Sequence, residues 1–110
     1  LFAARVARVE IDLDNMKTTN LRVIAAVAGG GAPGAESSML KIKGTEIRQE
    51  INALTLRAMG PYALPWQVDD LGPEGAASAA TQYFNNRKLS IFGGSNEIQK
   101  NIISKMILGL

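Results

Sequence analysis

The 110-residue sequence contains no cysteine and no histidine. Together those absences remove thiol nucleophiles, disulfides, imidazole general bases and the usual zinc ligands, so any chemistry must come from carboxylates, backbone groups or a cofactor. The lack of cysteine fits a reducing compartment. No apolar run approaches the roughly twenty residues of a membrane span, and no basic-then-apolar signal segment opens the chain. A soluble, cytoplasmic setting is therefore expected, with no membrane span. Nothing alternates at period two with β-branched residues, which argues against strands. The net charge is only +2, with basic residues dispersed among acidic ones, so neither a nucleic-acid stripe nor a membrane patch is indicated. Asp69-Asp70 lacks the further ligands that a cation would want, and no metal site is expected.

What is present is helical periodicity. Phe2, Val6, Val9, Leu13 and Met16 step by four and three residues, and the pattern resumes at Leu21, Ile24 and Val27. One long helix to about Ala28 is predicted, with an irregularity near Thr18-Thr19-Asn20. The run Gly29 to Gly34, which includes Pro33, ends it. A second helix is predicted from Glu36 or Ser37 to about Met59. Leu40, Ile47, Ile51, Leu54 and Ala58 form one face, with Lys41, Lys43, Glu46, Arg48 and Glu50 opposite. Gly44 costs about 1 kcal/mol against alanine in mid-helix and marks a close crossing with a neighbour.

Gly60-Pro61 stops that helix, and a loop anchored by Tyr62, Leu64 and Trp66 leads to Pro73. A third, alanine-rich helix is expected from about Gly75 to Leu89, anchored by Tyr83 and Phe84. The last begins near Ser95, with Ile98, Ile102 and Met106 in one row and Ile103, Ile107 and Leu110 in another, and is expected to be buried on two sides. The fold class is all-α, an antiparallel bundle of about four helices in one domain, residues 1–110, large enough to bury about two-thirds of its unfolded surface. Leu1 reads as helix interior without a preceding cap, so the chain is expected to begin mid-protein.

The C-terminal string Ile91-Phe92-Gly93-Gly94-Ser95-Asn96-Glu97-Ile98-Gln99 places paired glycines before a helix N-terminus. Glycine lets the backbone approach a ligand, and the free N–H groups of a helix start favour an anion. The same residues also suit an ordinary N-cap at Ser95. This string resembles the C-terminal signature of flavin-dependent acyl-CoA dehydrogenases, in which an aromatic, a glycine turn and Ser/Thr-x-Glu-Ile-Gln precede the last helix. Leu21-Arg22, Ser37-Ser38-Met39-Leu40-Lys41 and Gly60-Pro61-Tyr62 extend the resemblance over most of the chain.

The resemblance implies a C-terminal helical domain whose N-terminal helical and middle β domains are absent from these 110 residues. It also implies FAD as cofactor and oxidation of an acyl-CoA substrate to the trans-2-enoyl-CoA. Electron-transfer flavoprotein or a similar acceptor would be a partner, and the protein would be a homo-oligomer, dimeric or tetrameric, or a heteromer. In many members the base that takes the α proton is a glutamate between the aromatic and the glycine. That position here is Gly93, which cannot accept a proton, so no catalytic side chain is assigned in this chain. Two readings follow: a base on an earlier helix, upstream of Leu1, or a structural subunit without chemistry.

Other family roles carry over as implications of the same resemblance. The backbone N–H of Gly93 would polarise the thioester carbonyl, or Gly93-Gly94 would simply connect two helices. Flavin contacts map to Ser95, Asn96, Glu97 and Ile98, with the Glu97 charge better suited to the helix dipole or a ribose hydroxyl than to a diphosphate. A Gln-x-x-Gly-Gly element that meets a neighbouring subunit's flavin maps to Arg57 through Pro61, where only Gly60 survives. Arg57 fits both a diphosphate and the helix C-terminus. Phe92, Gly93 and Gly94 would lie on the substrate side, although a phenylalanine at helical spacing also reads as core. Arg87 and Lys88 fit either an anionic CoA moiety or a solvated surface.

Overall fold

The computed structural model describes all 110 residues and contains four α-helices and no strand. They are α1 (Phe2–Ala28), α2 (Glu36–Met59), α3 (Ala76–Asn85) and α4 (Asn96–Ile103). Short 3-10 segments, Gly60–Ala63 and Asn86–Ser90, follow α2 and α3, and Ser104–Leu108 continues α4 as a π-turn. No helix is long and apolar enough to cross a membrane.

The antiparallel arrangement can be read from side-chain pairs along α2. Arg5 meets Glu50, and Lys43 Nζ lies 2.9 Å from the Asp12 carboxylate, so α1 runs back along α2. Asn86 Nδ2 donates to Asn52 Oδ1 at 2.9 Å, and Lys41 Nζ donates to Asn96 Oδ1 at 3.1 Å. The α3-to-α4 half of the chain therefore also runs against α2. With neighbours on several sides, α2 does not keep one wet face. Lys41, Lys43 and Glu50 are half-buried, while Ala58, expected inside, is exposed. Alongside the buried Ile47 and Leu54, the residues Ser38, Thr45 and Asn52 recur every seven positions as a buried polar row. Such spacing keeps them on one helix face.

Gly44 lies in an uninterrupted α2, and a Cβ there would sit 3.4 Å from Met16 Sδ, so it marks the expected close crossing of α1 and α2. The anticipated irregularity near Thr18 does not occur. The Thr18 and Thr19 hydroxyls donate to the carbonyls of Asp14 and Asn15 at 3.0 and 2.9 Å, which lets the helix absorb both residues.

Expectations about large side chains need correction. No residue of α1 is buried, and Leu21, Ile24 and Val27 are exposed. In the loop after α2 it is Ala63 that is buried, whereas Tyr62, Leu64 and Trp66 are exposed. The α-helical part of α3 ends at Asn85, and its buried residues are Ala76, Ala79 and Ala80; Phe84 is exposed. Along the last helix and its π-turn, Ile98, Ile102, Met106, Ile107 and Leu110 are exposed, and Ile103 is half-buried. Alanine at a contact draws two backbones close and excludes bulk, so on α3 the small residues occupy the interface and Phe84 faces outward.

Candidate functional site

The 3-10 segment after α3 ends with the Ile91 and Phe92 N–H groups both donating to the Lys88 carbonyl, at 2.9 and 3.0 Å. Gly93 and Gly94 follow with φ of +68° and +85°, a region that strains any L side chain. Two such residues in succession turn the chain and deliver it to α4. Ser95 is extended (φ −60°, ψ 159°) and caps that helix, its Oγ accepting from the Ile98 N–H at 3.4 Å. From inside α4, Gln99 Nε2 donates back to the Gly93 carbonyl at 3.2 Å. A Cβ on Gly94 would stand 2.6 Å from that amide nitrogen, while one on Gly93 would meet nothing within 4 Å.

This construction leaves the N–H groups of Gly93, Gly94 and Ser95 without an acceptor in the chain. Successive free N–H groups at the positive end of a helix suit an anion or an oxygen-rich ligand. Glu97 stands in the first turn. Its carboxyl is held below the ordinary range, first by its own backbone N–H, then by the Ser95 hydroxyl, with Lys100 and Lys41 adding to the effect against partial desolvation. The carboxylate therefore stays ionised and takes up part of the potential at the helix start. Phe92 is exposed rather than core. With Gly93, Leu40, Lys41, Arg48 and Leu89 it borders an open hollow of about 440 Å³ between the turn and α2.

The family model of the acyl-CoA dehydrogenase C-terminal domain matches residues 1–108. The chain belongs to the acyl-CoA dehydrogenase family. It is 32% identical over 89 residues to acyl-CoA dehydrogenase FadE34 of Mycobacterium tuberculosis, a match covering 81% of this chain and 11% of that protein. Its fold matches a chain in the crystal structure of the ChsE4-ChsE5 complex from Mycobacterium tuberculosis with a TM-score of 0.76 and 28% identity, over 99% of this chain and 27% of that one. The chain thus spans a minor part of both relatives.

Within this acyl-CoA dehydrogenase domain, Phe92 through Ile98 form one contiguous turn and helix start. Arg57 and Gly60 do not join them. Arg57 lies near the far end of α2, about 24 Å from Lys41 by helical rise over sixteen residues, Gly60 lies just past that end, and both are exposed. Arg87 is engaged locally, its guanidinium 4.4 Å over the Tyr83 ring and donating to the Gln49 carbonyl at 3.2 Å. Lys88 donates to Asn85 Oδ1 at 2.9 Å.

Sequence reasoning placed Lys41 on the face opposite the apolar row of α2 and gave Gln99 no role, yet both hold the turn. Gln99 was accessible in principle, since a side-chain amide four residues past an N-cap can reach back over the first turn. Lys41 was not, because its acceptors lie about fifty residues away in sequence.

Proposed function

We propose that this chain is the C-terminal helical domain of an FAD-dependent acyl-CoA dehydrogenase that oxidises an acyl-CoA to the trans-2-enoyl-CoA. In this reading it provides one wall of the flavin and acyl sites and part of the oligomer contact. The observation that carries the reading is the row of unbonded N–H groups at Gly93, Gly94 and Ser95 beside the exposed Phe92. That donor set fits an oxygen-rich cofactor and a thioester carbonyl, and FAD, when bound, supplies the hydride acceptor.

Each residue then has a defined task. The Gly93 N–H donates to the thioester oxygen and so favours the charge that develops as the α proton departs. Ser95, Asn96 and Ile98 present the start of α4 to polar groups of the flavin. Glu97, kept anionic, repels phosphate and accepts from a hydroxyl. Phe92 and Gly94 border the acyl side. Arg57 and Gly60, at the other end of α2, serve the flavin of a neighbouring subunit, which is the oligomer part of the reading. Electron-transfer flavoprotein or a similar acceptor reoxidises the cofactor. The proton acceptor is a carboxylate on an element outside these 110 residues.

Full-length protein, purified with its flavin, is expected to lose the oxidised flavin absorbance when an acyl-CoA is added without oxygen. A flavin-loaded protein inert to short, long and branched acyl-CoAs would overturn this. It would favour the second reading, a structural subunit without chemistry, which the missing side chain at Gly93 motivates.

A further inference from the structure

The linker between α3 and α4 contains two adjacent glycines, the residues with the most backbone freedom to lose, and yet its N–H groups must hold one direction to be useful as donors. A local brace comes from Gln99 on the Gly93 carbonyl. A second brace comes from another helix. Lys41 Nζ, on α2, donates to the Leu89 carbonyl at 3.0 Å and to Asn96 Oδ1 at 3.1 Å. Leu89 lies just before the turn and Asn96 is the first residue of α4, so one nitrogen ties both ends of the linker. Thr45, one helical turn along α2, orients its hydroxyl to the Lys41 carbonyl at 2.8 Å, with the Leu89 carbonyl at 3.4 Å.

We infer that Lys41 is a positioning residue for the cofactor and thioester contacts of the Phe92–Ile98 turn, fixing the direction of the Gly93, Gly94 and Ser95 N–H groups from α2. The inference rests on the flavin reading of that turn. Two features separate it from ordinary helix-to-helix tethering. The two acceptors, the Leu89 carbonyl before the turn and the Asn96 side chain at the start of α4, stand on either side of the Gly93, Gly94 and Ser95 N–H groups, so the ammonium constrains the linker while leaving those three N–H groups free for a ligand. Lys43, two residues along, makes a comparable polar contact, 2.9 Å to Asp12, but to α1 and away from the turn. It is the natural control.

The test uses full-length protein and compares Lys41→Met, Lys41→Arg and Lys43→Met for melting temperature, FAD dissociation constant after reconstitution of the apoprotein, and amide hydrogen exchange of the segment from Leu89 to Glu97. Charge-assisted hydrogen bonds of this kind correspond to about a tenfold change or more in an equilibrium constant. Lys41→Met is expected to raise the FAD dissociation constant about tenfold and to speed exchange in that segment, whereas Lys43→Met leaves both near wild type whatever melting shift either variant shows. Lys41→Arg keeps the charge but not the single-point reach to two oxygens, and should fall between wild type and Lys41→Met.

Unchanged FAD affinity and unchanged exchange in Lys41→Met would overturn the inference while leaving the flavin reading intact. A wild-type protein that takes up no FAD would overturn both. Should Lys41→Met fail to fold, Lys41→Arg decides, and wild-type exchange and affinity in that variant count against the positioning role.

Discussion

Lys43 and Asp12 hold each other at 2.9 Å, and seven residues away along both helices Arg5 and Glu50 form the second ion pair of the same seam. Seven residues is about two helical turns, so the two pairs sit on one line and fix the register of α1 on α2. All four side chains are between about a quarter and a half exposed. Solvent screening therefore keeps their energies small. Lys43→Met and Glu50→Gln are each expected to destabilise by less than about 1 kcal/mol in urea unfolding. The difference from wild type should shrink as salt is raised, and exchanging Arg5 and Glu50 should recover part of what either single reversal loses.

Gly93 and Gly94 share a backbone region but not surroundings, which separates their alanine variants. At Gly93 the new methyl group meets open space, so only the left-handed penalty applies, about 1–2 kcal/mol. At Gly94 the same penalty is joined by loss of the Gln99 brace, because the methyl group would stand 2.6 Å from its amide nitrogen. Gly94→Ala should be the more destabilising of the two in thermal or urea unfolding, by about 0.5–1.5 kcal/mol. Equal effects would show that the Gln99 contact contributes nothing.

Glu97 gives the helix start an acid dependence. Its folded carboxyl lies below the ordinary value of 4.5, so its contribution is present above that pH and is lost as pH falls through the lowered folded value. Glu97→Gln is expected to flatten the fall of stability below about pH 4.5 and to leave the slope nearer neutrality unchanged. Ser95→Ala should move the Glu97 titration upward, as read by carboxyl NMR shifts, because it removes one of the groups that holds the ionised form.

Asn52 is 3% exposed and accepts from Asn86 Nδ2 at 2.9 Å. Replacing it by leucine leaves that half-buried donor without its partner, a loss of about 0.5–1.5 kcal/mol. Removing both partners, with Asn86 also made apolar, should cost less than the single change, and a double-mutant cycle on unfolding free energies measures the coupling.

The ends of α1 and α2 were legible because caps and breakers are local. The stretch from Gly29 to Gly34 and the Gly60-Pro61 pair act on their own neighbours, and the observed α1 and α2 stop where those residues stand. The turn before the last helix was equally readable, since paired glycines mark a break and Ser95 suits an N-cap; the observed turn and cap stand there. Burial was not. Periodicity reports which residues share a face, not how near another backbone comes, so Phe84 and Trp66 passed as anchors while Ala76, Ala79 and Ala80 filled the contact. The polar row of Ser38, Thr45 and Asn52 was hidden for a related reason. Asn52 pairs with Asn86 and Thr45 reaches toward the Leu89 carbonyl, both in the second half of the chain and beyond the range of any local pattern.

The distribution of burial also sets an order of events in which the fold comes apart. The buried positions lie between Ala35 and Ala80, on α2, the segment after it and α3, whereas α1 contributes none. A long helix held by half-buried apolar contacts and two screened ion pairs is expected to open as a unit before the centre does, as a separate foldon. Native-state hydrogen exchange on the isolated chain would then divide into two tiers, with the amides of α1 opening at a fraction of the free energy that guards those from Thr45 to Leu54.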